Sequence, residues 1–500
     1  MKHFNALTLA LLLSTTTSAA EVDSTLVEHL SAWQQVNTEA QINPALNGKT
    51  FRTDFSQLSL QADFQRQKAA FTLQEGTGHT LYSIDATTYL HLNNVTTVWG
   101  KALYHTGTAR GIRFNSIADY SLLEPYILAD TDGGKTKRER YEFQGGYATQ
   151  LNRWLLGAEM LFRADHEYRT FDPRMRAIVT DLTLRGGAAY QWRGYRWGAA
   201  AELNIYKQTD DVTFMREEGV IAEYQLTGLG ATYARFSGEV SRLYYKGGGA
   251  RFLLNLQPES GNGFFANLSM SEHSYERIAA SLNSLPLTKL YRDQWKTTFG
   301  YRQHKNTDWA LWIDASLTRR MGDENIVGSS LSNNYPILAR LTMYRNTISD
   351  ASLSAMYGHS AKQDWHVGIT TGYLDNNEKY RDPKREMGFS RLYARLWGQN
   401  LTPIGRRTTL SAKASADYLK NLDSTFQIPV TETEPALMAM LTHNYKYLRA
   451  DYTCLDAQMR IDHRLKQSRL GLFCQLSAGT ILTSESGTDT HANLTLGLTF

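Results

Sequence analysis

Ala492-Asn493-Leu494-Thr495-Leu496-Gly497-Leu498-Thr499-Phe500 alternates apolar and polar residues without a break and stops on an aromatic ring. In an extended chain successive side chains point to opposite faces. Leu494, Leu496, Leu498 and Phe500 therefore share one face, and Asn493, Thr495, Gly497 and Thr499 share the other. A strand of this kind suits a wall with lipid on one side and water on the other.

The same period of two runs through most of the chain. Trp154, Leu156, Ala158, Met160 and Phe162 oppose Gly157, Glu159, Leu161 and Arg163; Leu161 is the one exception to apolar-against-polar. Trp309, Leu311, Ile313, Ala315 and Leu317 oppose Ala310, Trp312, Asp314, Ser316 and Thr318, and Leu392, Ala394 and Leu396 oppose Arg391, Tyr393, Arg395 and Gln399. From about residue 54 onward, such segments are separated by turns and polar loops. Tight connections are expected at Leu151 to Arg153, Arg193 to Gly194, Lys305 to Asn306 and Gln399 to Thr402, and longer ones at 107–137, 209–230, 322–336, 376–386 and 421–435. Short connections on one side and long ones on the other are what transmembrane β-barrels use. The predicted fold is all-β, a transmembrane antiparallel barrel with an even number of strands, about 16 to 20. Treating every long loop as external breaks strand parity somewhere between 337 and 450.

Composition agrees with a barrel and excludes a helical membrane protein. Beyond the amino terminus no apolar run reaches the roughly 18 residues that a membrane helix needs. Tyrosine (28), tryptophan (10) and phenylalanine (19) are plentiful, while proline (10) is scarce. The mean hydropathy of −0.42 is no obstacle, since a wall with every second residue polar has a low average. A periplasmic β-sandwich is the structural rival. Against it stand outward faces that carry Trp, Phe, Leu and Met from segment to segment, and aromatic pairs at strand ends such as Trp295 and Tyr301, where interfacial belts belong. The net charge of +4, from 53 basic and 49 acidic residues, is spread without a basic cluster, so nucleic acid is not an expected partner.

Met1-Lys2, an apolar run from Ala6 to Leu13, and the small residues Ser18, Ala19 and Ala20 predict a secretory signal over 1–20, cleaved before Glu21. Glu21 stands where a lipoprotein would need cysteine. Residues 21–50 form a short pre-barrel segment, with Leu26, Leu30 and Trp33 at helical spacing. It reads as a small plug or periplasmic latch, or as a leader helix at the barrel rim, the latter preferred. The barrel itself is assigned to 51–500.

Cys454 falls on the polar face of its segment with Asp456, Gln458, Arg460 and Asp462, whereas Cys474 falls with Leu470, Leu472 and Leu476. Directly paired strand residues share a face. A disulfide would need a bulge or slipped register, and two free thiols are the favoured outcome.

The carboxy-terminal strand resembles the terminal signal of bacterial outer-membrane β-barrels, with Leu496, Leu498 and Phe500 as the assembly signal. A second resemblance is carried by Val98-Trp99-Gly100-Lys101-Ala102-Leu103-Tyr104-His105-Thr106-Gly107, Asp119 to Tyr126, Ala129 to Gly134, Tyr141 to Ala148 and Tyr168 to Arg174. Over about residues 95 to 205 the chain is similar to an uncharacterised family of outer-membrane β-barrels of the Bacteroidetes type. The resemblance implies fold and location in the outer membrane, with lipid and the barrel assembly machinery as partners. It carries no catalytic residues.

Chemistry is sparse. No Gly-x-Ser-x-Gly elbow occurs and the histidines are scattered singly, so no enzyme, cofactor or metal centre is expected; Asp130-Thr131-Asp132-Gly133 lacks the remaining ligands of a calcium loop. Gly145, Gly146, Gly157, Gly186 and Gly187 lie within strands, where a missing side chain permits bending or close approach. The inward candidates are Arg163, Arg185, Arg292, Lys296, Arg391 and Arg395 against Glu159 and Asp314, with Glu159 and Asp165 expected to pair with Arg163 and Arg185. A modest positive excess points to a weakly anion-preferring lumen. The first functional class is therefore porin-like or transport-associated, passing or helping to pass a small hydrophilic solute. The alternative is a non-conducting outer-membrane partner of a receptor, a lipoprotein, a transporter or a secretion complex. Residues 21–50 are too few for the globular plug domain of an energy-coupled receptor.

Overall fold

The structure is a computed structural model. It describes residues 23–500 except 37, 214–222, 234, 237–241, 306, 331–333, 361–362, 467, 469 and 486. The expected signal segment 1–20 lies outside the described residues.

Alternating segments with one apolar face can bury neither face alone, and the chain resolves this by closing on itself. Eighteen antiparallel strands, from Phe55–Gln67 to Thr488–Thr499, form one sheet in which the last strand pairs with the first. Leu498 lies opposite Leu58 and Leu496 opposite Leu60, and Ser56 and Phe500 exchange both backbone hydrogen bonds at 3.0 Å. Closure leaves no unpaired edge. The strand number is even and falls within the range expected from the alternation.

The apolar face points outward. Leu60, Ile84, Phe143, Met160, Ile205, Phe252, Phe299, Ile313 and Leu396 are large, exposed and distributed around the wall, the arrangement that lipid requires. Outward rings meet near one end of the barrel: Trp154 with Tyr190, Trp192 with Trp197, and Tyr301 with Phe264 and Trp309. They form one interfacial girdle. No helix among the described residues is long and apolar enough to cross a membrane.

Several boundaries depart from expectation. No turn occurs at Gln399 to Thr402; the strand Arg385–Gly405 runs through it and turns at 406–407. The polar stretch 376–386 is mostly strand, broken only at 381–384 between Asp364–Tyr380 and Arg385–Gly405. Strands also extend into 107–137, reaching Ile112 and resuming at Gly134. The physical reason is that strands rise beyond the lipid, where both faces are polar and alternation disappears although the ladder continues. Residues Pro435–Leu448 form a helix, not a crossing segment. Together with the shifted turn, this restores the parity.

Cys454 is registered against Ile481 and Cys474 against Ile461. They occupy opposite faces and both thiols are free.

Candidate functional site

Every connection at one end of the barrel is short, six residues or fewer, while the other end carries the long connections, among them 113–133 and 428–451, together with short ones such as 381–384 and 484–487; each mouth is filled by a different device. At the short-turn end, Asp23 to Gly48 crosses the interior. The helix Ser24–Leu30 stops at Ser31, whose hydroxyl accepts from Trp33 N and so starts Ala32–Gln35. The same hydroxyl donates to Asp364 at 2.9 Å. Gln399 accepts from Ala32 N at 2.5 Å and donates to Leu30 O at 2.8 Å. Across the lumen Asn43 donates to Asn255 at 3.2 Å, and Tyr89 donates to Asn47 O at 2.9 Å. The plug is thus tied to widely separated strands by a few polar contacts.

Its apolar seats are small. Ala32, Trp33 and Val36 pack with Phe265, Ala310 and Met356, and Ala40, Ala45 and Leu46 pack with Leu155 and Ala189. Glycines make the second seat possible. A Cβ at Gly157 would stand 2.5 Å from Ala45 N and Pro44 C, and Gly187 and Gly198 lie equally close beneath Asn43. Gly145 and Gly186 meet nothing within 4 Å, because they face outward. Trp33 lies over His304 and His366, with ring centroids 5.6 and 6.3 Å away. Both histidines bond to the buried Asp308, at 2.5 and 3.0 Å.

The long-loop end is closed by a larger lid. The strand Leu128–Asp130 pairs with Glu223–Gly228, which pairs with Ala231–Thr232. Below them the helix Pro435–Leu448 buries Leu437, Met440 and Leu441 in a core shared with Phe114, Ile117, Leu123, Ile127 and Leu128. Each such side chain contributes about 1.5–3 kcal/mol by leaving water, so this seal is far firmer than the plug. Wall arginines brace its backbone. Arg277 donates to Leu226 O at 3.2 Å, Arg320 to Glu124 Oε1 at 2.9 Å, and Arg385 to Leu229 O at 3.0 Å. The aspartate-rich turn is part of this scaffold. Asp130 accepts from Ser116 at 2.6 Å, from Gly133 N at 2.6 Å and from the buried Arg169 at 2.7 Å.

The inward residues singled out from the sequence fall into four groups. Glu159, Arg185 and Arg163 are wall struts. Glu159 accepts from Trp99 at 2.7 Å, Gln144 at 2.8 Å and Arg185 at 2.6 Å, and Arg185 reaches Glu202 at 2.5 Å. Arg163 binds Asp165 at 2.5 Å, Asp181 at 3.1 Å and Asp119 of the lid at 2.7 Å. Arg391 donates to Leu448 O at the end of the lid helix. Lys296, Asp314 and Arg395 line open space. Lys296 lies 3.7 Å from Glu39 of the plug, Asp314 accepts from Thr298 at 2.6 Å, and Arg395 pairs with Asp417 at 2.9 Å. Arg292 faces the lumen opposite His273 and Arg320.

Against the plug lies a cavity of about 500 Å³ lined by Gln35, Trp312, Arg395, Lys413, Asp456 and His491. A second of about 340 Å³, lined by Glu39, Lys296, Asp314 and Asp350, shares Gln35 and Trp312 with it. Both are of small-molecule size, the second mainly polar and the first lined by apolar side chains such as Val36, Met356 and Trp397 as well as polar ones. Sequence reasoning missed the plug anchors Asp364, Gln399 and Asn255, because nothing local distinguishes them from other inward polar residues. It also missed the lid helix, whose buried Leu437, Met440, Leu441, Asn444 and Tyr447 recur at helical spacing behind Pro435.

Residues 44–500 match the model of a family of unknown function, DUF6850. No curated protein matches the chain. Among solved structures, the ferric enterobactin receptor PfeA of Pseudomonas aeruginosa is similar at 10% identity and TM-score 0.40, covering 89% of this chain and 81% of that one. BauA, the ferric preacinetobactin receptor of Acinetobacter baumannii, matches at 7% identity and TM-score 0.40, covering 88% and 80%. The copper transporter OprC matches at 8% identity and TM-score 0.38, covering 88% and 81%. Likenesses this distant carry no argument about what this barrel does.

Proposed function

The chain belongs to DUF6850, a family of unknown function, and from its lumen we propose that it is a gated, transport-associated barrel of the outer membrane, closed at rest, that helps a small hydrophilic solute across. The short-turn end faces the periplasm and the long-loop end the exterior, and the barrel assembly machinery inserts it. The observation that carries the reading is the chamber of about 500 Å³, of mixed polar and apolar lining, held against a plug that is tied by a few hydrogen bonds and two small apolar seats. A permanently structural interior would have no need of a hollow beside a weakly held segment. Paired charges also favour a closed resting state over a standing porin-like pore, since Arg163, Arg185 and Arg395 are each engaged by carboxylates.

The second reading, a non-conducting partner of another outer-membrane receptor or lipoprotein, is favoured by the lid. Its large buried core presents a fixed outer surface of the kind a partner would dock on. Planar-bilayer recording separates the two. The full chain is expected to be silent, and a variant relieved of both closures, with Ser24 to Asn47 deleted and the lid segments 113–133 and 428–451 shortened, is expected to pass small ions. A barrel without plug and lid that is folded yet silent would overturn gated passage in favour of the partner reading.

A further inference from the structure

One cluster beside the chamber is only partly paired, with Arg395 on one oxygen of Asp417 and His491 on one oxygen of Asp456. Asp417 on the strand Thr408–Gln427 is registered directly against Cys454 on Tyr452–Arg464. Asp456 lies two residues on, along the same inward face. Asp456 is registered against Gly479, and Gly479 against His491 of the closing strand. Because Gly479 has no side chain, carboxylate and imidazole meet over it, with His491 Nε2 2.7 Å from Asp456 Oδ1. A Cβ at Gly479 would overlap both groups.

Ligand atoms of Asp417, Cys454 and Asp456 lie within 4.8 Å of one another. Cys454 Sγ donates to Asp456 Oδ2 at 3.1 Å, and Arg395 Nε stands 2.9 Å from Asp417 Oδ1. A tetrahedral zinc ion with its usual bond lengths holds its donor atoms roughly 3.3–3.8 Å apart. A closure of about one ångström would bring these three to that spacing, and His491, which lies outside that group and is hydrogen-bonded to Asp456, joins as the fourth ligand by turning its ring out of that bond. Asp456 and His491 also line the chamber of about 500 Å³, which supplies the entry path.

We propose that Asp417, Cys454, Asp456 and His491 form a binding site for a divalent transition-metal cation of the zinc class on the chamber wall. The donor set decides the class. Calcium and magnesium take oxygen-only sets, whereas thiolate with imidazole selects zinc and its neighbours. Two carboxylates and a thiolate carry more negative charge than Arg395 offsets, which suits a double positive charge. The other cysteine, Cys474, is on the lipid-facing side, so no disulfide competes for Cys454. On binding, the Cys454 thiol proton leaves to solvent and the sulfur becomes a thiolate ligand. His491 presents the Nε2 lone pair with its ring proton on Nδ1, and Asp417 offers the oxygen that Arg395 does not hold. The biological use of the site rests on the gated-transport reading; the binding itself does not.

The test is titration of the full, detergent-solubilised, reduced chain with Co²⁺, read by the thiolate-to-cobalt charge-transfer absorption and reversed by Zn²⁺. The expected result is a saturable band that survives in Cys474→Ser and disappears in Cys454→Ser. His491→Gln and Asp456→Asn should weaken binding by at least about tenfold. Heat-modifiable migration of each variant verifies folding. A folded wild type without the band overturns the site, as does a band lost in Cys474→Ser but kept in Cys454→Ser. The two readings fail separately. A chain that binds cobalt but never conducts, even without plug and lid, refutes gated passage alone, and a chain without plug and lid that conducts while wild type shows no band refutes the metal site alone.

Discussion

Gly157 on the barrel wall lies under Pro44 of the plug, so close that a methyl group on the glycine would stand 2.5 Å from the proline carbonyl carbon. Backbone on one side and backbone on the other leave no flexible side chain to yield. Gly157→Val is therefore expected to unseat the plug at a cost of roughly 1–3 kcal/mol of overpacking. Gly145→Val, which meets open space, is expected to leave it seated. Protease cleavage between Ser24 and Asn47 in the folded barrel reads the difference, and equal protection in the two variants would contradict the seat.

The wall makes opposite demands on its two faces. Leu311 and Ile313 are exposed on the outer face, whereas Ser316 lines the polar cavity beside Lys296 and Asp314. Arginine at Leu311 or Ile313 should cost roughly 2–4 kcal/mol if these positions lie near the midplane. Arginine at Ser316 should cost little. Reversible folding into lipid bilayers measures both, and equal tolerance would contradict the assignment of faces.

The lid should weaken as pH rises. Glu223, in the lid strand Glu223–Gly228, has its carboxyl pushed up to about 7 by burial, with the Asp130 charge adding to the effect. A carboxyl raised in the folded state binds more protons there than in the unfolded chain between about pH 4.5 and 7. In that window stability falls with increasing pH. Amide protection across 113–133, corrected for the base-catalysed intrinsic exchange rate, should be greater at pH 5 than at pH 7.5, and Glu223→Gln should flatten the dependence. Unchanged pH sensitivity in that variant would assign it to another group.

Closure depends on the strand Thr488–Thr499 and its end. Phe500 exchanges both backbone bonds with Ser56, and its ring is exposed on the outer face. Removing Phe500 is expected to lower the yield of folded, heat-modifiable barrel in the outer membrane while leaving synthesis unchanged. Undiminished assembly would remove Leu496, Leu498 and Phe500 from the role of assembly signal.

Periodicity by itself determined the wall. In a strand the side-chain period is two, so each alternating segment declared which of its residues meet lipid. Cys454 and Cys474 were separated onto opposite faces before any pairing was known. Loop polarity was less informative, because strands that rise past the lipid at 376–380 are as polar as loops. What fills the barrel was decided only by the tertiary structure. Ser31 meets Asp364, Asn43 meets Asn255, and Asp456 meets His491 because closure of eighteen strands brings residues far apart in sequence across one lumen. Face is a local property, written in every second residue. Which inward groups converge depends on register, strand number and the glycines that leave room, and no single segment contains those.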